Sequence, residues 1–104
     1  MLYYAVAAID ITDPSWVPDY VATVTGLVEA HGGRYLARTS RIDMIEGTGA
    51  PPQVCVIIEW PSKEAAEAFY ASEQYQPYLD ARLRGASNEF VLVAGEDMTA
   101  VASI

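Results

Sequence analysis

Three observations predict an α+β domain of order β-α-β-β-α-β. Four apolar or β-branched segments stand at residues 2–11, 34–46, 53–60 and 88–94, with helix-like spacing after the first and the third. The first and third segments are apolar on both alternating faces, as strands covered on two sides are. The second carries Arg34, Arg38, Arg41, Asp43 and Glu46, as an edge strand does. That order is the split βαβ, or ferredoxin-like, arrangement. Right-handed crossovers put two helices on one face of a four-stranded antiparallel sheet, with strands one and three central.

Each element has its own signal. In the first strand Leu2, Tyr4, Val6 and Ala8 alternate with Tyr3, Ala5, Ala7, Ile9 and Ile11. Asp13-Pro14 then supplies a helix cap with proline in the first turn. Trp16, Val17, Tyr20, Val21, Val24, Leu27 and Val28 recur at the spacing of one helical face. Gly32-Gly33 ends that helix, because glycine accepts the left-handed C-terminal turn.

Residues 34–46 read as one strand, kinked near Thr39-Ser40, and GTGAPP at 47–52 reads as a loop. QVCVIIEW at 53–60 is the third strand, broken by Pro61, with Ser62 capping a helix that contains Ala65, Ala66, Ala68, Phe69 and Tyr70. Residues 72–83 give a second short helical piece, which Pro77 is expected to interrupt. NEFVLVA at 88–94 is the fourth strand, an edge with few charges to guard it. The domain is expected over residues 1–95, followed by a tail at 96–104 with no assigned structure.

Composition narrows the function. The chain has 104 residues, 52% of them hydrophobic, with six basic against fourteen acidic residues for a net charge of −8. Nucleic acid and anionic membrane surfaces both demand clustered cations, so neither is an expected partner. No segment approaches the roughly 20 apolar residues of a membrane span. A single Cys excludes an internal disulfide and suits a reducing cytoplasm. P-loop, dinucleotide and zinc-ligand spacings are missing, so no cofactor or metal is expected.

The patterning also predicts a partner. With both helices on one side, the other sheet face of a monomer should be polar, yet three strands are apolar on both faces. Large apolar patches are rare on monomers. A second copy related by two-fold symmetry covers such a face most simply, so a homodimer through the sheet faces is expected.

HGGRYLAR at 31–38, IEG at 45–47 and VCVIIEWPSKEAAEAFYASEQYQ at 54–76 together resemble the domain-of-unknown-function family 1330. The likeness spans about residues 2–95. It implies a dimeric α/β barrel, as in small cofactor-free monooxygenases, muconolactone isomerases and some polyketide cyclases. The chain departs from the pattern at Arg38-Thr39-Ser40, where the family has Arg-Gly-Gly. It departs again at Phe69-Tyr70, in place of Trp-Tyr, and at Ser72-Glu73-Gln74, in place of Ser-Pro-Glu.

Candidate site residues follow. Arg38 lies inside a strand, where an inward guanidinium needs an anion. That anion is a substrate carboxylate or enolate, or else Glu59 or Asp10, unless the side chain is simply exposed. Tyr70 and Tyr75 match the family motif and can move a proton or hold an oxyanion. Trp16 and Tyr20 on the first helix suit the lining of a small-molecule pocket between helices and sheet. His31 is a candidate base, or an axial haem ligand as in haem enzymes with this barrel, or a cation at a helix C-terminus. Cys55 reads as a small buried hydrophobe. These residues point to a cofactor-independent isomerase, cyclase or monooxygenase acting on a small anionic or aromatic metabolite. A non-catalytic small-molecule binder or a dimeric interaction module is the alternative.

Overall fold

The computed structural model describes residues 1–100. In chain order it contains β1 (Tyr3–Ile11), a 3-10 turn (Pro14–Trp16), α1 (Val17–Ala30), β2 (Arg34–Thr39), β3 (Val54–Trp60), α2 (Lys63–Ala71), α3 (Gln76–Gly85) and β4 (Ala86–Ala94). The sheet order is β2-β3-β1-β4 with every pair antiparallel, which is the ferredoxin-like topology. A 3-10 turn (Met98–Ala100) follows β4, and the rest of the expected tail, 101–104, lies outside the described residues.

Several boundaries differ from the sequence reading: β4 begins at Ala86 and not at residue 88, and α3 spans Gln76–Gly85 in place of residues 72–83. β2 stops at Thr39 instead of running to residue 46, because its last pairing is Thr39 with Cys55 and β3 begins only at Val54. Beyond that point no strand remains to take the ladder bonds. Pro77 does not interrupt a helix. It stands in the first turn of α3, where its missing N–H costs nothing, so α2 and α3 are separate helices.

Capping explains the helix ends. Asp13 Oδ1 accepts from Ser15 N at 3.0 Å, and Ser62 Oγ accepts from Ala65 N at 3.1 Å. Gly32 closes α1 with φ +91°, a value that excludes most side chains. Trp16 belongs to the turn before α1, not to the helix itself.

One face of the sheet meets the helices. Ala5, Ile58 and Trp60 from the strands pack with Val24 and Val28 of α1, Ala66 and Phe69 of α2, and Leu79 of α3. The shortest dimension of the molecule is 18 Å, as one helix layer on one sheet requires. The opposite face carries the row Ile57–Val6–Val91 across β3, β1 and β4, flanked by Cys55, Ala8 and Val93. Val91 and Val93 are 55% and 46% exposed in the single chain. Cys55 is half-buried on this open face and not in the core.

Candidate functional site

A cavity of about 130 Å³ lies between α1 and the sheet. Its walls are apolar: Ala7 and Ile9 of β1, Val24 and Val28 of α1, Val56 and Ile58 of β3. Four polar-tipped side chains enter this lining, Tyr20, Tyr35, Arg38 and Arg82, together with the indole of Trp16. Ala7 is the one small β1 residue of this lining, beside Ile9 and Ile11. A second, larger groove of about 530 Å³ runs between α2 and β4, lined by Trp60, Glu67, Tyr70 and Leu92. Phe69 and Phe90 line both and form the wall between them.

Arg82 is the most constrained polar group. It is 2% exposed and is the one buried charged residue among those described. Its Nη2 donates to Tyr75 Oη at 3.2 Å, and its guanidinium lies 5.9 Å from the Phe90 ring centroid. Among the described residues no carboxylate pairs with it; the single ion pair is Arg34–Glu59 at 3.3 Å, on the open sheet face. Tyr75 Oη in turn lies 2.6 Å from Tyr20 Oη. Tyr75 is 1% exposed, with its ring 4.3 Å from Phe69 and 5.9 Å from Tyr70.

The local structure sets these positions. Tyr75, Leu79 and Arg82 fall at i, i+4 and i+7 around α3, so one helix face carries all three inward. The Gly85 carbonyl ends α3 and accepts three bonds, from Thr12 N, Asp13 N and Trp16 Nε1 at 2.9, 3.0 and 3.1 Å. That node ties α3 to the start of the first crossover and fixes Trp16 edge-on to Tyr20, with centroids 5.1 Å apart. A methyl group on Gly85 would overlap the Trp16 indole, so glycine is required there.

Electrostatics hold the protons on Tyr20, Tyr35 and Arg82. Burial, with Tyr75 beside it, pushes the Tyr20 phenol well above its ordinary range. Burial also raises Tyr35. For Arg82, burial works to lower the pKa, but the two phenols outweigh it and the net direction is upward. The cavity end therefore holds the Arg82 cation beside the neutral Tyr20 phenol.

Arg38 stands at the opposite, exposed end. Its Nη1 donates to Thr25 Oγ1 at 2.8 Å and its guanidinium stacks 4.1 Å above the Tyr35 ring. The carboxylates that sequence offered it are engaged elsewhere: Glu59 with Arg34, and Asp10 Oδ1 with Gln53 N at 2.9 Å. The structure thus brings Trp16, Tyr20 and Arg38 to one cavity, with Tyr75 directly behind Tyr20. Tyr70 is 40% exposed and lines the α2–β4 groove. His31 lines neither space; its Nδ1 lies 2.8 Å from the Leu27 carbonyl, which can only accept, so the ring is an Nδ1–H donor closing α1. No group of three potential metal ligands occurs among the described residues. No helix among them is long and apolar enough to cross a membrane.

Sequence reasoning missed Arg82. The signal was its helical spacing from Tyr75 and Leu79, which the charged flank Asp80, Arg84 concealed.

The model of the family described as "Domain of unknown function (DUF1330)" matches residues 3–96. No curated protein matches the chain. Among solved structures, the protein of unknown function RPA0582 from Rhodopseudomonas palustris is similar with a TM-score of 0.73 at 15% identity, over 92% of this chain and 83% of that one. SnoaB, a cofactor-independent oxygenase from Streptomyces nogalater, is similar with a TM-score of 0.65 at 13% identity, over 92% and 94% of the two chains. An antibiotic biosynthesis monooxygenase is similar with a TM-score of 0.52 at 20% identity, over 93% and 100%. At these identities the likeness shows a common fold.

Proposed function

The chain belongs to the DUF1330 family of domains of unknown function, and from that premise we propose that it is a homodimer which takes a compact anionic or aromatic metabolite into the chamber beneath α1. The observation that carries this reading is the apolar cavity with cationic groups at both ends, Arg82 buried and Arg38 at the mouth. Apolar walls with a few convergent polar groups are the usual make-up of a small-molecule site. Arg38 anchors an anionic substituent, Trp16 flanks the ring, and Tyr20 faces the ligand with a hydroxyl that can donate a proton.

On this reading the chemistry is isomerisation, cyclisation or oxygenation without a resident cofactor. The fold shared with SnoaB and with an antibiotic biosynthesis monooxygenase supports that class. The homodimer is supported by the uncovered row Ile57–Val6–Val91. A reducing cytoplasm is the proposed compartment, in keeping with the one unpaired thiol at Cys55.

A second reading, a binder without turnover, is favoured by one observation: the chamber lining contains neither a carboxylate nor an imidazole to act as a base. A thermal-shift screen of aromatic acids, phenols and keto acids tests the common part of both, since a ligand of the native state raises Tm. Stabilisation by a member of these classes, lost in Arg38→Ala, is the expected result. Uniform failure across all three classes would contradict both readings.

A further inference from the structure

The hydrogen-bond directions around Tyr75 lead past the reading above. Arg82 can only donate, so Tyr75 Oη accepts from it. The short contact between Tyr75 and Tyr20 then has two possible directions. If Tyr20 donated to Tyr75, the Tyr75 hydroxyl proton would need a third partner. Tyr75 is almost fully buried, does not line the cavity, and has no other acceptor among the described residues. A buried donor left without an acceptor costs about 1–3 kcal/mol. If instead Tyr75 donates to Tyr20, the Tyr75 hydroxyl proton has its acceptor and no phenolic proton is left buried without one. The Tyr20 hydroxyl proton is then left over, and Tyr20 does line the cavity.

We propose that Arg82 is a positioning residue that orients a relay from its own N–H through Tyr75 to Tyr20, so that the Tyr20 hydroxyl is presented to the cavity as a fixed donor for an anionic oxygen. Bonds in such a chain polarise one another, each donor becoming stronger as its own oxygen accepts. Arg82 adds its positive charge to the same cavity wall, where the low dielectric leaves it weakly screened. A donor with an adjoining cation selects the oxyanion form of a ligand over its neutral form.

The space sets the size of that ligand. An apolar cavity of about 150 Å³ holds one benzene; this one measures about 130 Å³ and is partly open to solvent, so it seats one ring while a further substituent projects outward. The class is therefore a single ring or an equally compact skeleton bearing a phenolate, enolate or carboxylate oxygen. This assignment rests on the chamber being a ligand site, but it makes a separate claim about direction and charge.

Two probes of one ring size separate the claims. 4-Nitrophenol reports its own ionisation by absorbance, and nitrobenzene has the ring but no ionisable oxygen. The wild-type protein is expected to bind the phenolate about tenfold or more tightly than the neutral phenol, lowering the apparent pKa of the bound probe. Tyr75→Phe breaks the relay while keeping both the ring and the Arg82 charge, and Arg82→Met removes the charge. Both variants should lose most of the phenolate preference and still bind nitrobenzene. Arg82→Lys, which keeps a donor and a charge, should restore part of it. Equal binding of phenol and phenolate by wild type, or a preference unchanged in Tyr75→Phe, would overturn the relay and leave the chamber standing. Failure of both probes to bind would overturn the chamber reading as well.

Discussion

Tyr20 and Tyr75 meet hydroxyl to hydroxyl at 2.6 Å, joining α1 to α3 across 55 residues of sequence. The contact is a structural link as well as a chemical one. Removing the Tyr75 hydroxyl leaves Arg82 without its acceptor and Tyr20 without its partner, while the ring packing on Phe69 survives. Tyr75→Phe should therefore lower unfolding free energy by about 1–3 kcal/mol. Urea denaturation with an unchanged slope is the measurement, and an unaltered midpoint would show that the contact carries no stability.

Alkaline pH should weaken the fold. The Tyr20 and Tyr35 phenols hold their protons more tightly folded than unfolded, so their contribution is complete below the ordinary value of 10.0. Above it the unfolded chain releases protons that the folded chain retains, and stability falls as pH rises. An absorbance titration of the seven tyrosines should show at least two ionising late or only on unfolding. Seven phenols titrating together near 10.0 would contradict the buried environment assigned to this pair.

Gly85→Ala tests the node at the end of α3. The added methyl would press into the Trp16 indole and approach the Asp13 carbonyl at 3.1 Å. Overpacking of this kind costs about 1–3 kcal/mol. Urea denaturation should register the loss, together with a shifted tryptophan emission as the indole moves from the Gly85 carbonyl. Wild-type stability and emission would mean that the junction is looser than its three hydrogen bonds imply.

The open sheet face makes its own prediction. Val6 sits at the centre of the row, paired with Ile57 on one side and Val91 on the other. Val6→Glu would bury two unpaired carboxylates at a two-fold interface, an outcome that charges resist strongly. Sedimentation should show wild type at twice the chain mass and the variant dissociating at least about a hundredfold more readily. A wild-type monomer at micromolar concentration would remove the dimer.

Much of this architecture could be read from residue patterns, for physical reasons. Strand order followed from which segments were apolar on two faces, and α1 from its spacing between Asp13-Pro14 and Gly32. The end of β2 was not legible, because it depends on where β3 begins and not on any residue in 40–46. The role of Pro77 was ambiguous, since proline both breaks helices and starts them. Trp16, Tyr20 and Arg38 were visible as aromatic and cationic residues at inward positions. Arg82 was not, because a cation in a charged helix tail reads as solvated until the helix is docked and Tyr75 is found against it.

The proposed function depends on the chamber beneath α1. A crystal structure of the protein grown with 4-nitrophenol tests it most directly. The ring is expected between Val24 and Val56, with its oxygen within hydrogen-bond distance of Tyr20 Oη and facing Arg82. A chamber collapsed onto its own side chains, or a ring bound on the open sheet face with the chamber empty, would contradict it.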